Sequence, residues 1–325
     1  MLEVPPALAA TLERQGGLAE AVNLARRASV RRLVVSGNGA AFYVATALWL
    51  ASLAGERPGP EVCAVPSGLL AKGRFAWRAG DLLVAVSSSG EFRDLVEAID
   101  DGAPRPYIAL TSSPMSTIGR SAEVAATFEV LNQRAITHSQ VFCGAVVAAL
   151  SLWAGVTADI GLQRELAEVP AQAQRAIDAT RRWCEEAVDE LEYVPRSAVA
   201  CGSRAGWAAA LEAALLLKEV ARIPAEGAET REAATSGMYA LGTADLALIL
   251  QAGGADEQLD EAERVFARAG ATVLRSPAPS ELVDERLTAV MTFPAAAALA
   301  ITLARRGGYD PDDPAWAAAY YETAR

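Results

Sequence analysis

The chain repeats one order of strands and helices at a nearly constant offset along its length. Residues 34–39 recur at 199–204, an offset of 165, and residues 80–86 recur at 244–250, an offset of 164. A third match joins 106–109 to 271–274. A repeat that contains several strands and helices indicates two copies of one α/β unit. Short apolar strands that alternate with helical stretches predict a parallel sheet in each copy.

The predicted fold is therefore α/β, with two tandem flavodoxin-like units whose parallel sheets are flanked by helices. A charged, helical stretch at 160–192 carries no strand signal, so it is predicted to link the two copies. The predicted domains are an N-terminal helix at 1–28, a first unit at 29–157, a helical linker at 158–194, a second unit at 195–306 and a tail at 307–325. The strands predicted for the first copy lie at 33–35, 61–65, 82–86, 106–110 and 123–131.

Three consecutive serines follow the apolar strand predicted at 82–86. Ser87, Ser88 and Ser89 precede Gly90, and a helix is predicted to begin at Glu91. Hydroxyls, backbone N–H groups and the positive end of a helix dipole in one turn are suited to binding an anion. The alternative is an ordinary turn in which one of the serines caps the helix.

The second copy differs from the first at this turn. The matching strand ends in Gln251, Ala252, Gly253 and Gly254, which offer no hydroxyl. Hydroxyls that one copy has and the other lacks are not needed to fold the shared scaffold. The predicted anion site therefore belongs to the first half of the chain.

Composition limits the classes of partner. The net charge of −11 leaves no basic stripe that could neutralise the phosphates of a nucleic acid, although a small anion can still bind through local geometry. No signal peptide is predicted, and the apolar run at 141–156 is predicted to be too short for a membrane span. The four cysteines are far apart, so neither a disulfide framework nor a zinc site is predicted. We expect a soluble, cytoplasmic protein without a metal or organic cofactor.

Two segments resemble the sugar isomerase (SIS) family. They are Ser87 to Glu91 in the first copy and the helical segment Ala210 to Glu219 in the second, and the resemblance extends from about Val30 to Asp313. The chain is similar to the isomerase half of glucosamine-6-phosphate synthase and to fructoselysine-6-phosphate deglycase. The resemblance implies that the serines hold a sugar phosphate and that Glu219 moves a proton between sugar C1 and C2. No glutamine amidotransferase domain is predicted ahead of the doubled unit, so the chain is not expected to draw ammonia from glutamine by itself.

The surroundings of Glu219 in the sequence also favour a general base. Three leucines precede it on a helix rich in alanine, and Glu212 lies seven residues earlier on the same helical face. A carboxylate that is partly removed from water has a raised pKa, which suits proton abstraction near neutral pH. The alternative is a surface glutamate paired with Lys218 or Arg222.

The chain has one histidine, His138, and it lies in a segment that resembles a family sequence lining the sugar site. The segment runs from Ile136 to Phe142 and includes Ser139. A histidine with a pKa of about 6.5 both gives and accepts protons near neutral pH, so His138 is a second catalytic candidate. The alternative is a histidine at a helix N-terminus with no chemical role.

The chain departs from the family at three positions. Members that open a sugar ring carry His-Gly-Pro after the glutamate helix, where this chain has Thr235 or Ser236, and Ala319 stands near the place of a C-terminal lysine. Phe92 also replaces a small hydroxyl residue in the phosphate loop, which leaves open whether the anion is a phosphate or a sulfonate. The predicted substrate-binding residues are Asn38, Gly39, Ser87, Ser88, Ser89, Gln133, Ser139, Glu232 and Thr235.

The function predicted from these observations is sugar isomerisation at C1/C2 of a phosphorylated or otherwise terminally anionic sugar, by proton transfer through Glu219. One alternative is a deglycase or deaminase that acts on an amino-sugar phosphate. Another is a non-catalytic sugar-phosphate sensor, which the missing histidine and lysine favour. The expected partners are a small anionic sugar and a second copy of the chain in a homodimer, with no nucleic acid and no membrane.

Overall fold

The computed structural model describes residues 1–54, 57–71, 74–132, 139–184, 186, 191, 193–277 and 283–312. The chain divides into two compact units, and the main division falls at Pro170, inside a long helix. The first unit contains a five-stranded parallel sheet, and the second contains a four-stranded one. The predicted α/β fold with two parallel sheets is confirmed.

The first unit has all five of the strands that the sequence predicts. They are β1 (Arg32–Gly37), β2 (Glu61–Pro66), β3 (Asp81–Val86), β4 (Ile108–Thr111) and β5 (Val124–Thr127). Their order in the sheet is β2-β1-β3-β4-β5, and every neighbouring pair is parallel. The chain turns to opposite sides of β1 when it adds β2 and β3, so the carboxyl ends of β1 and β3 flank the switch point of this sheet. Ligands of doubly wound sheets bind at such a point.

The helices of the first unit include two at the N-terminus, where the sequence predicted a single helix over 5–28. The first helix ends because Gln15 takes a left-handed φ of 42°, and the second starts after Gly17, whose φ is 69°. Only glycine fits at position 17, since a Cβ there would lie 2.2 Å from the carbonyl oxygen of Ala125. The helices are α1 (Val4–Arg14), α2 (Leu18–Ala25), α3 (Ala40–Ala54), α4 (Ser67–Leu70), α5 (Arg93–Asp100), α6 (Thr117–Ser121) and α7 (Ser139–Thr157).

One long helix, α8 (Ile160–Trp183), passes through Pro170 without a break within the stretch predicted to be helical at 160–192. The second unit then repeats the sheet order of the first, as β7-β6-β8-β9. Its strands are β6 (Ala198–Gly202), β7 (Ala225–Glu229), β8 (Leu246–Ile249) and β9 (Thr272–Arg275), and its helices are α9 (Gly206–Glu219), α10 (Thr230–Thr235), α11 (Glu257–Ala269) and α12 (Thr288–Arg306).

Strand β7 was not predicted, because its small and acidic residues do not form an apolar run. Its Gly227 lets α9 pack closely on the sheet, since a Cβ there would lie 2.5 Å from the carbonyl oxygen of Ala210. The position of α9 against the sheet therefore depends on a residue with no side chain.

Two stretches of helix are long and apolar enough to cross a membrane by length and composition, contrary to the expectation for the 141–156 run. They are Ser139–Thr157 and Glu285–Arg306, with mean hydropathies of 1.7 and 1.9. In each, 83% of the apolar window is buried inside the protein. Both lie mostly in the interior of the protein; a soluble protein and a cytoplasmic location stay predictions.

Candidate functional site

The loops that follow β1 and β3 begin side by side at the carboxyl edge of the first sheet. The two strands are paired in register, with Ser36 opposite Ala85. After β1, Asn38 is exposed and Gly39 has a φ of 53°, so the chain turns at once into α3. The predicted binding residues of these two loops therefore come together at the switch point of the sheet.

The serine loop after β3 is held by hydrogen bonds from its own backbone. The Ser87 hydroxyl oxygen accepts the N–H of Gly90 at 3.1 Å, and the Ser89 hydroxyl oxygen accepts the N–H of Glu91 at 3.3 Å. Helix α5 starts at Arg93, two residues later than predicted, and its N-cap residue makes no side-chain capping bond. The alternative in which a serine caps this helix is therefore wrong.

Gly90 has a conformation and a position that no other residue fits. Its φ is 63°, and a Cβ at this position would lie 1.8 Å from the hydroxyl oxygen of Ser116. Ser116 itself caps α6 by accepting the N–H of Gly119 at 3.1 Å, and the Gly90 carbonyl accepts the N–H of Ile118 at 3.0 Å. The serine loop is thus packed directly against the first turn of α6.

The loop after β4 supplies hydroxyls that sequence reasoning did not assign to the site. Thr111 and Ser112 each donate a hydrogen bond to the carbonyl oxygen of Ser88 at 3.0 Å. The hydroxyl oxygens of Ser88 and Ser112 lie 2.9 Å apart. The signal was available, because the sequence shows hydroxyl residues at the ends of two predicted strands, and β3 and β4 prove to be neighbours.

Glu91 adds a negative charge beside the serine loop. Hydrogen bonding to Thr117, whose N–H lies 2.8 Å from the carboxylate, lowers the pKa of Glu91, and the nearby charge of Arg120 lowers it further. The carboxylate is therefore ionised near neutral pH. An anion bound here would be held by hydroxyls and N–H groups instead of by a field of uniform positive charge.

In the second unit, the loop after β8 binds the chain's own side chains. Gln251 lies where Ser87 lies in the first unit, and its side-chain amide donates to the carbonyl of Gly254. Arg275 donates to the Gln251 side chain at 2.6 Å and to Asp260 and Glu263 at 2.8 and 3.0 Å. The positive charge of Arg275 is therefore balanced by Asp260 and Glu263 and is not available to a bound anion. This supports an anion site in the first unit and not at the matching loop of the second.

Helix α9 carries two carboxyl groups with raised pKa values. Burial raises the pKa of Glu219, and the adjacent charge of Lys218 opposes this only in part. Burial also raises the pKa of Glu212 well above its usual value, and the charge of Glu219 adds to the effect. Arg222, the other suggested partner of Glu219, lies with its guanidinium 4.4 Å from the ring centre of Tyr309.

The remaining candidates are less informative. Glu232 and Thr235 are exposed on α10, and the Thr235 hydroxyl donates to the carbonyl of Arg231 at 2.8 Å within its own helix. Ser139 is the first residue of α7 and is half-buried. Gln133, His138 and Ala319 lie outside the described residues.

An open cavity of ≈ 320 Å³ lies between α4 and α5 and contains no predicted site residue. Two arginines and two carboxylates line it, so its charges cancel. Its lining residues are Gly68, Ala71, Arg74, Arg93, Asp94 and Glu97. We assign the candidate site to the carboxyl ends of β1, β3 and β4, because the serine and threonine hydroxyls lie there.

The sequence is similar to those of glutamine–fructose-6-phosphate aminotransferases. It is 27% identical over 302 residues to the glutamine–fructose-6-phosphate aminotransferase (isomerizing) of Gloeobacter violaceus, with 82% of this chain and 49% of that protein covered. The enzyme of the same name from Pyrobaculum aerophilum is 26% identical over 257 residues, with 72% and 42% covered. The chain therefore spans about half the length of the curated relatives it matches. No family model matches the chain.

Solved structures share the fold across nearly the whole chain. The C-terminal domain of glucosamine-fructose-6-phosphate aminotransferase from Francisella tularensis has a TM-score of 0.80 and 16% identity, with 96% of each chain covered. Tagatose-6-phosphate ketose/aldose isomerase from Escherichia coli has a TM-score of 0.76 and 15% identity, with 95% of this chain and 93% of the other covered. The resemblance to the sugar isomerase family predicted from the sequence is confirmed.

Proposed function

We propose that this chain, which has the fold of the sugar-phosphate isomerases, is an enzyme that moves a proton between C1 and C2 of a sugar with a terminal anion. The single observation that carries the proposal is the half-buried position of Glu219 at the end of α9, after three leucines, where burial raises the pKa of its carboxyl. A surface glutamate would gain no such shift. A base whose pKa lies closer to neutral is better matched to proton abstraction beside a carbonyl.

The reaction requires a substrate in its open-chain form. Glu219 takes the proton from the carbon next to the carbonyl, and the electron pair passes to the carbonyl oxygen to give a cis-enediolate. A proton then moves from the neighbouring hydroxyl to that oxygen, and Glu219 returns its proton to the former carbonyl carbon. The carbonyl and the hydroxyl thereby exchange places, and no electron donor or acceptor is needed. A positioned base contributes about 10²- to 10⁴-fold to such a step.

The serine loop is proposed to anchor the anion of the sugar. Ser87 and Ser89 each accept a backbone N–H and keep their own proton for donation. Asn38 and Gln133 are proposed to hold sugar hydroxyls, because an amide both donates and accepts hydrogen bonds. His138 is proposed to move protons at the sugar oxygens.

The test is exchange of the C1 or C2 hydrogen with solvent deuterium, followed by NMR on fructose 6-phosphate. The unmodified protein should exchange this hydrogen, and Glu219→Gln should abolish exchange while the dissociation constant changes little. Glutamine is close in shape but cannot accept the proton, so binding and turnover are separated. Glu226→Gln, on the exposed side of β7, is the matched control and should leave exchange unchanged.

The two alternatives have distinct outcomes in the same experiment. Binding without exchange or product over hours would favour a sensor, in which the site recognises the sugar and a partner protein reads the result. Release of ammonia or an amine from an amino-sugar phosphate would favour a deaminase or deglycase. A structure with this fold is a glucosamine-6-phosphate deaminase from Thermotoga maritima, at 17% identity and a TM-score of 0.69, so this outcome is chemically close.

A further inference from the structure

The hydrogen bonds of the serine loop assign every proton of the Ser88 and Ser112 hydroxyls. A serine hydroxyl has one proton to donate and two lone pairs that accept. The Ser112 proton goes to the carbonyl oxygen of Ser88 at 3.0 Å. Either hydroxyl can donate across the 2.9 Å contact between their oxygens, and because the Ser112 proton has the carbonyl as its acceptor, we assign this bond to the proton of Ser88. Both protons are engaged inside the protein, and only lone pairs are left for a ligand.

Ser87 and Ser89 have the opposite character. Each of their oxygens accepts a backbone N–H of the same turn, from Gly90 or from Glu91. Their protons are not used in those bonds, so these two hydroxyls can donate to an anion. Ser87 and Ser89 are therefore available as hydrogen-bond donors, whereas Ser88 and Ser112 offer a ligand only acceptors.

We propose that the Ser88–Ser112 hydroxyl pair accepts a proton carried by the ligand's anion, so that the loop binds a singly protonated phosphate ester in preference to the dianion or to a sulfate or sulfonate. The inference rests on the proposed anion-binding role of the serine loop. A phosphate monoester has a second pKa of about 6 and carries a proton near neutral pH. A sulfate ester or a sulfonate has no proton to give at this pH. Ser112, from the loop after β4, is then a residue that sets specificity.

The second unit has no hydroxyl pair that corresponds to Ser88 and Ser112, so the fold does not need this pair to join the two loops. By the offset of 165 that relates the strands before them, Ser276 matches Thr111 and Pro277 matches Ser112. Ser276 contacts the loop backbone by accepting the N–H of Gln251 at 3.0 Å. Ala252 stands in the place of Ser88, so the bond between two hydroxyls has no counterpart there. The turn of the second unit is therefore held without such a bond, by Ser276 and by the side chains of Gln251 and Arg275.

One charged group of the loop, Glu91, acts in the same direction as the hydroxyl pair. The charged residues that follow the serines in sequence are Glu91, Arg93 and Asp94, and Arg120 on α6 is close enough to Glu91 to lower its pKa. The pKa of Glu91 is lowered, first by its hydrogen bond to Thr117, so this carboxylate stays ionised between pH 5.5 and 7.5. Its fixed negative charge disfavours a dianion further. Between pH 5.5 and 7.5, the group whose titration we invoke is the phosphate of the ligand, not a side chain of the protein.

The test compares fructose 6-phosphate with fructose 6-sulfate by isothermal titration calorimetry between pH 5.5 and 7.5. If only the monoanion binds, the affinity for the phosphate falls about 25-fold over this range, for a second pKa of about 6. The affinity for the sulfate should be low and nearly independent of pH, which also controls for titration of the protein. Ser112→Ala should abolish or reverse the trend, because it frees the Ser88 proton for donation to a dianion. Ser113→Ala is the matched control and should keep the trend.

The outcomes separate this inference from the proposed function. A phosphate affinity that rises with pH, or equal binding of sulfate and phosphate, would overturn the selection of a protonated anion and leave a general anion site. Failure of both ligands to bind would overturn both. Because the pH trend of the unmodified protein is itself diagnostic, the inference remains testable even if Ser112→Ala does not fold.

Discussion

Arg32 donates two hydrogen bonds to Asp81, at 2.9 and 2.7 Å, and so joins the start of β1 to the start of β3. The same pair recurs in the second unit as Arg196 and Asp245, at 3.2 and 2.8 Å. Both pairs span 49 residues of sequence. Each aspartate also accepts the backbone N–H of the residue three positions earlier, at 2.8 and 2.9 Å. The internal duplication is therefore preserved in individual hydrogen bonds.

The two ion pairs should differ in their contribution to stability. Only 10% of the Arg32 side chain is exposed, against 70% of Arg196. Arg32→Met should therefore lower the free energy of unfolding by about 3–5 kcal/mol, because it leaves a buried carboxylate without its cation. Arg196→Met should cost less, since Asp245 keeps its bond from Ser197 at 2.8 Å. Urea denaturation followed by circular dichroism measures both; equal losses would contradict the prediction.

Acid should expose the contribution of Asp81. Burial alone would raise its pKa, but the hydrogen bonds from Arg32 and from the N–H of Arg78 outweigh burial and lower it. A lowered pKa means that the stabilisation is present above the unfolded value of about 3.9 and is lost as the pH falls through the folded value. Asp81→Asn should flatten the fall of the thermal midpoint below pH 4. Asp100→Asn, an exposed control, should leave the acid slope of the parent.

Glu212 should act in the opposite direction, at higher pH. Because burial raises its pKa well above the usual value, the folded state is favoured while the group is protonated. Stability should fall by up to about 1.4 kcal/mol per pH unit from the unfolded pKa of about 4.3 up to the folded pKa. Glu212→Gln should flatten this decline in thermal melts from pH 5 to 9. A parallel decline in parent and variant would mean that Glu212 is ionised in the folded protein.

A side chain at Gly90 should disrupt the serine loop, whereas a side chain at Gly102, which also has a positive φ, should be tolerated. Gly90→Ala places a Cβ 1.8 Å from the Ser116 hydroxyl oxygen and should deform the serine loop. We expect at least a tenfold loss of affinity for fructose 6-phosphate in calorimetry. At Gly102, with a φ of 109°, nothing lies within 4 Å of the Cβ position. Gly102→Ala should therefore cost only backbone strain, about 1 kcal/mol, and leave affinity unchanged.

A homodimer stays a prediction. Helix α7 does not by itself require a second chain, since 83% of its apolar window is buried within a single chain. Light scattering at micromolar concentration should return twice the chain mass of 34.0 kDa. A mass of one chain across that range would remove the prediction.

The sequence predicts most strands of this fold because buried parallel strands are short apolar runs. Strand β7 was missed for the same reason, since Ala225–Glu229 has no apolar run to detect. The break between α1 and α2 was missed because a left-handed φ at Gln15 has no reliable signal in sequence. Boundaries at helix starts, such as Arg93 in α5, depend on which backbone groups the loop itself satisfies.

Site features that depend on one segment of sequence could be predicted, whereas contacts between two distant segments were missed. The burial that raises the pKa of Glu219 agrees with the leucines that precede it in sequence. The bonds from Thr111 and Ser112 to Ser88 depend on the neighbouring positions of β3 and β4, which spacing along the chain does not give. The roles assigned to Asn38 and His138 stay predictions.

The loop closed by Gln251 and Arg275 in the second unit has a consequence for heat denaturation. The side chain of Gln251 is hydrogen-bonded within the chain, so the melting temperature of the second unit should not depend on a small anion. A ligand that binds the first unit stabilises that unit by about 2.7 kcal/mol at one hundred times its dissociation constant. Calorimetric scans at rising ligand concentration should therefore separate one melting transition into two, with the half that lacks the serines unfolding first.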